Sequence, residues 1–140
     1  MLGVSRGMSS MFTNQALLER AMDWAERRLS AISDNIANIS TPNYKRKDVA
    51  WVDELAKNDQ RKFVGRRTDP RHFFIGRRPD WAIKPRPFVE ATTTSRNDGN
   101  NVDLDTELAN LQKTALYYQA ITQMYSDHIS RIRTVLRGAR

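Results

Sequence analysis

Two apolar rows with the same spacing dominate this sequence. The first is Leu18, Met22, Ala25, Leu29, Ile32, Ile36 and Ile39. The second is Leu104, Leu108, Leu111, Ala115, Tyr118, Thr122, Tyr125, Ile129, Ile132 and Leu136. The steps in both alternate between four and three residues, which is the spacing of a coiled-coil seam. The rows predict helices over about residues 14–40 and 103–138. At 1.5 Å per residue the second would be about 50 Å long and the first row about 30 Å. Pro42 closes the first helix, because the residue before a proline is pushed out of the α region. Asp103 is the expected N-cap of the second, with Asp105 and Glu107 in its first turn, where the helix dipole favours anions. Arg131, Arg133 and Arg137 sit at its cation-favouring end, and Gly138 suits the residue that follows.

A weaker stripe flanks each row: Leu17, Ala21, Trp24 and Ala31 in the first helix, and Tyr117, Ile121, Met124 and His128 in the second. Two readings are open. The stripes could widen one core face, or Trp24, Tyr117, Ile121 and Met124 could dock neighbouring molecules. In the second case an isolated chain is only marginally stable and gains from lateral packing, since each large side chain buried is worth roughly 1.5–3 kcal/mol.

The charge is unevenly spread. Residues 1–56 are neutral overall, with seven basic and seven acidic side chains. Residues 57–100 carry eleven basic and five acidic side chains, for a net of +6 out of the total of +7. The same stretch holds Gly65, Pro70, Gly76, Pro79, Pro85, Pro87 and Gly99, which punctuate regular structure. The expected organisation is a flexible arm at 1–13, a helix with its following motif at 14–44, a basic middle segment at 45–102 and a second helix at 103–138. No apolar run approaches the 18 residues of a membrane span. The first twelve residues lack the apolar stretch of a cleavable secretory signal.

Chemistry-bearing patterns are scarce. His72 and His128 have no ligand partner at metal-binding spacing. Cysteine is absent, and neither a phosphate loop nor a nucleophile elbow is present. Helix capping accounts for the Asp103, Asp105 and Glu107 cluster. The expectation is a protein without enzymatic activity, cofactor, metal or small-molecule substrate. A nucleic-acid-binding alternative rests on Arg61, Lys62, Arg66, Arg67, Arg71, Arg77, Arg78, Lys84 and Arg86, which interleave with Phe63, Phe73, Phe74, Trp81 and Phe88. The segment lacks the signature of an RNA-recognition module. A solvated loop is the simpler reading, and a basic patch meeting an anionic surface is a third.

The most unusual stretch is Asn35-Ile36-Ala37-Asn38-x-x-Thr41-Pro42-x-Tyr44-Lys45. Asparagine is a poor helix former. Asn35 and Asn38 would either end the helix or reach across to a partner backbone. This stretch resembles the N-terminal signature of the bacterial flagellar axial proteins. The run Asp98-Gly99-Asn100-Asn101-Val102-Asp103-Leu104-Asp105-x-Glu107, followed by a long helix with Tyr118 in its middle, is similar to the proximal members of the flagellar basal-body rod family. A sister proximal rod protein is the alternative within that family. The resemblance implies that the N- and C-terminal helices form an antiparallel coiled coil along a tube, with an irregular middle segment, partly β or disordered, projecting from it. It implies a structural role in a self-assembling, torque-transmitting rod of homo- and hetero-oligomeric character. Implied partners are other rod proteins, the adaptor joining rod to MS ring, and the flagellar type III export apparatus. Implied location is the basal body in the periplasmic space, reached without a cleaved signal peptide.

Overall fold

A computed structural model describes residues 2–60, 63–66, 68–69, 71–92 and 97–138 of the chain, with side chains from residue 13 onward. The elements in order are α1 (Leu2–Ala37), β1 (Lys47–Ala50), α2 (Val52–Asp59), a single 3-10 turn (Asp80–Ala82), β2 (Arg86–Val89) and α3 (Leu104–Gly138). The fold is mainly α, as expected, with α1 packed along α3. Three pairings show that the two run antiparallel. Glu19 meets Tyr125, Trp24 stacks near Tyr117, and Asn35 meets Glu107. The middle segment contributes a two-stranded antiparallel sheet, with Lys47 opposite Val89 and Ala50 opposite Arg86.

Helix α3 begins within a residue of its expected start. Helix α1 differs at both ends. It extends through residues 2–13, where an arm was expected, and stops at Ala37, three residues short of the position that Pro42 alone suggested. The early stop has a local cause. Asn38 turns its amide back onto the Asp34 carbonyl (2.8 Å), and Thr41 closes onto Asn38 (3.3 Å). These side-chain bonds compete with the helical ladder.

The core lies on one side of the helix pair. Ala21, Trp24 and Ala25 of α1 pack with Val49, Trp51 and Ile83, and Leu17, Ala31, Leu55 and Ile121 close around them. Trp24, only 6% exposed, donates its indole N–H to the Val49 carbonyl at 3.0 Å. Trp51 does the same to Ile83 at 3.0 Å, and the two rings lie 6.0 Å apart. Trp24 is therefore a core residue of this chain and is not available to a neighbour. Ile121 likewise packs against that core. The weaker α1 stripe is inward-facing because β1 and Trp51 cover it.

The predicted α3 seam is only partly inside. Leu111, Tyr125, Ile129 and Ile132 are half-buried, whereas Leu104, Leu108, Tyr118 and Leu136 are exposed. The residues fully buried on α3 are Glu107 and Thr114. Helix geometry gives the reason. A strict heptad row drifts about 20° per seven residues on a straight helix, so from Leu104 to Leu136 it turns through roughly 90°. One row cannot face α1 at both ends. On α1 the expected row fares better: Ala25 and Ile32 are fully buried, and Leu18, Met22, Leu29 and Ile36 are half-buried.

The basic middle segment folds back onto the helix pair. Asn58 at the end of α2 clamps residue 78 in both directions. Its amide donates to the Arg78 carbonyl and its oxygen accepts the Arg78 N–H, each at 2.8 Å. Arg20 of α1 reaches the Trp81 carbonyl at 3.4 Å. Of the basic residues named above, Arg61, Lys62 and Arg67 lie outside the described residues.

Candidate functional site

The two asparagine-rich stretches, about 60 residues apart in sequence, meet at the end of α1. Their asparagines divide the work. Asn35, fully buried, pairs with the Lys47 backbone as a strand would. Its amide donates to the Lys47 carbonyl at 2.8 Å and its oxygen accepts the Lys47 N–H at 2.9 Å. The helix thereby satisfies the edge of β1 that β2 does not reach. Tyr44 adds its hydroxyl to the same Asn35 oxygen at 3.3 Å. Asn101 plays the mirror role on the other side. Its oxygen accepts the Arg46 N–H and its amide donates to the Glu90 carbonyl, each at 2.7 Å.

Asn100 gathers the turn that follows α1. Its amide nitrogen lies 3.1, 3.1 and 3.0 Å from the carbonyls of Asn38, Ile39 and Thr41. The Asn38 and Thr41 carbonyls also accept the Thr41 and Tyr44 N–H groups, so a residue from the far side of the chain holds a turn that is already closed locally. The turn that presents Asn100 needs glycine. Gly99 has φ +80°, and a Cβ there would lie 2.5 Å from the Asn43 side-chain oxygen. Asn43 itself has φ 59° and donates its N–H to the Asp98 carbonyl at 3.0 Å. Lys45 reaches the Gly99 carbonyl at 2.8 Å.

Beneath this lies a charged centre. Arg46 donates to Glu107 through Nε, to Glu90 through one terminal nitrogen and to Asp48 through the other, the last two at 3.1 Å. Glu107 is fully buried and also accepts the Asn35 amide at 3.1 Å. Arg28 of α1 pairs with Asp48 at 3.1 Å. Burial works against the Arg46 charge, but the hydrogen bond and charge of Glu107, followed by Asp48 and Glu90, outweigh it and raise the guanidinium above the ordinary arginine range. The centre ties α1, β1, the end of β2 and the start of α3 into one joint. It fixes the angle at which the middle segment leaves the helix pair.

The structure thus brings together Asn35, Asn38, Thr41, Tyr44, Asp98, Gly99, Asn100 and Asn101. Pro42 is exposed within the turn. Asp103 sits just ahead of α3, its carboxylate accepting the Thr106 hydroxyl and its carbonyl accepting the Glu107 N–H. Sequence reasoning gave Glu107 a dipole role at a helix start and left Arg46 unassigned. The burial of Glu107 and Thr114 marks the inward side of α3, and no local signal in the sequence singled out that side or the pairing with Arg46. Tyr117 and Met124 remain exposed, Met124 at 60%. Among the described residues no three His, Asp or Glu side chains are placed to share a metal ion.

Comparison with known proteins bears on this joint directly. The family described as Flagella basal body rod protein matches residues 17–45, from the middle of α1 through Tyr44 and Lys45. The flagellar basal body rod protein FlgB of Bacillus subtilis is 33% identical over 124 residues, covering 88% of this chain and 92% of the relative. The chain belongs to the FlgB family of flagellar basal body rod proteins. The FlgB protein of Borreliella burgdorferi is 31% identical over 131 residues, covering 85% of this chain and 97% of its own length. That of Borrelia hermsii is 30% identical, covering 86% and 93%. These FlgB relatives match over nearly their whole lengths, so the similarity is not confined to one motif. The resemblance read from the two asparagine-rich runs is borne out.

Proposed function

We infer that this chain is a structural subunit of the bacterial flagellar basal-body rod. Membership of the FlgB family over most of its length carries that reading. The fold fits it: two long paired helices stiffened at one end by a buried polar joint. As a family member it works in assembly with other basal-body components.

Finer points go further. We place the subunit in the proximal rod, with its helix pair along the rod axis and its middle segment projecting. Exposed Tyr117 and Met124 on one flank of α3, with Leu104, Leu108 and Leu136 elsewhere along it, would meet neighbouring subunits. The joint would hold each helix pair at a set angle, so that torque passes along the rod without the subunits bending. The export apparatus, the adaptor to the MS ring and a periplasmic position belong to the same reading, as does the absence of catalysis. The nucleic-acid alternative has no observation in its favour.

Deleting the gene in its own bacterium tests this. The expected result is loss of motility and of rods from purified basal bodies, restored by the wild-type gene. Normal rods in the deletion strain would overturn it.

A further inference from the structure

Strand β2 lacks a cover. All four of its residues are exposed, although Pro87, Phe88 and Val89 are apolar. A two-stranded sheet is marginal by itself. Asn35 ties β1 to α1, and β2 is the outer strand. Between α1 and the sheet runs an open groove of about 460 Å³. Ala31, Val49, Pro87 and Val89 lie along its floor, and on α1 it extends from Arg27 to Asp34. Among the described residues, none of the chain's own α3 lines it. The outer edge of β2 is a poor seat for another strand, since Pro87 removes one of its donors. The apolar groove is what calls for a partner.

The chain carries a surface that matches. Helix α3 has no charged residue between Lys113 and Asp127. The helical period places Lys113, Leu116, Tyr117, Ala120, Met124 and Asp127 within one arc about 100° wide. Leu116 is 67% exposed, and Tyr117, Ala120 and Met124 are exposed beside it. This convex stripe starts at a cation and ends at an anion, and the α1 wall of the groove does the same. Lys113 meets Asp34 and Asp127 meets Arg27 when a neighbour's α3 runs antiparallel to this α1, as the chain's own α3 does. The two copies then point the same way. Arg27 and Asp34 already hold exposed pairs with Asp23 and Lys47, and such pairs are worth little. The end charges therefore orient the contact, and apolar burial drives it. We propose that a second copy of this chain lays the Leu116–Met124 stripe of its α3 into the groove between α1 and β2. The pairings of Trp24 with Tyr117 and Glu19 with Tyr125 put Ala120 about eight residues along α1 from the middle of the groove, so the neighbour is displaced by about 12 Å along the helix axis. Stripe and groove are different surfaces, so a row of copies leaves one groove open at one end and one stripe at the other.

The chain has no cysteine, so introduced thiols report this contact without interference. Ser30→Cys lies on the α1 wall of the groove and Ala120→Cys in the middle of the stripe. Both positions are exposed, and far-UV circular dichroism should be unchanged. The two purified full-length variants are mixed at high concentration, one carrying a size tag, and oxidised gently. A disulfide-linked dimer of one tagged and one untagged chain is expected, and neither variant alone should give a dimer. A chain carrying both thiols should give a ladder. Met124→Glu in the Ala120→Cys chain should lower the mixed product about tenfold, because it sets a charge against an apolar floor. No mixed dimer, dimers of either variant alone in equal yield, or indifference to Met124→Glu would overturn the proposal; the first would leave the groove to another molecule. The contact rests on the rod reading for its purpose, yet the mixture holds no other rod component. A missing cross-link therefore sinks this contact alone, and normal rods in the deletion strain sink the rod reading alone.

Discussion

Replacing Arg46 by methionine should be among the most damaging single changes in the chain, and more damaging than removing its partner. Arg46 serves three carboxylates, of which Asp48 and Glu90 retain some access to water while Glu107 has none. Losing exposed pairs costs little, about 0.5 kcal/mol each. Stranding a fully buried carboxylate costs about 3–5 kcal/mol. Arg46→Met should therefore destabilise by about 4 kcal/mol. Glu107→Leu leaves Arg46 with Asp48 and Glu90 and removes one acceptor from Asn35, a loss of about 1–2 kcal/mol. The double variant should lie near Glu107→Leu, so nearly the whole cost of Arg46→Met, about 4 kcal/mol, appears as coupling. Urea unfolding followed by far-UV circular dichroism reads all four proteins. With a slope of about 2 kcal/mol per molar, Arg46→Met should lower the midpoint by about 2 M. If the chain is too weak to tolerate that, helicity lost in Arg46→Met should return in the double variant. Equal effects for the two single variants, or additive ones in the double, would refute the claim that the buried Glu107 charge governs the joint.

Other changes probe the same joint and its surroundings. Gly99→Ala forces a Cβ into the Asn43 side chain at a positive φ and should cost about 1–3 kcal/mol, read as a lower melting temperature. Asn100→Ala removes the amide that the Asn38, Ile39 and Thr41 carbonyls share and should cost about 1–3 kcal/mol, with the loss visible as faster amide exchange at residues 38–43. Trp24→Phe keeps most of the ring volume but loses the bond to Val49, costing about 1 kcal/mol, whereas Trp24→Ala should cost about 3–5 kcal/mol; thermal melts separate the two. Met124→Ser lies on an exposed flank and should change stability by less than about 0.5 kcal/mol. It should nonetheless reduce motility in soft agar if that flank meets a neighbour.

Local periodicity carried the helices and little else. Both long helices and the α3 boundaries follow from the spacing of Leu, Ile and Tyr. The rotation of α3 does not, because a heptad row on a straight helix wanders, and the inward line is decided by Arg46 and Asn35, which lie far away in sequence. Asn35 and Asn38 were legible as unusual residues near a helix end. Both open readings of them hold in part, since Asn38 terminates its own helix and Asn35 reaches across to another backbone. That Asn100 would hold a turn 60 residues upstream has no local signature; its sequence neighbours show only a turn. The basic segment is hard to read for the same reason. Clusters of Gly, Pro and Arg suggest a solvated loop, and the clamp by Asn58 that folds it back depends on a pairing with Arg78 that no periodicity records.

The tie between Asn100 and the turn after α1 has a bearing on the order of events in folding. The Ile39 carbonyl takes a bond from Asn100, and the Asn35 amide, already on Lys47, takes its second from Glu107, so the end of α1 is fully tied only when more than 60 further residues are present. Long-separated contacts of this kind form late and cooperatively. Helix α1 can coil early, but its trailing end stays frayed until the last third of the chain arrives and latches it.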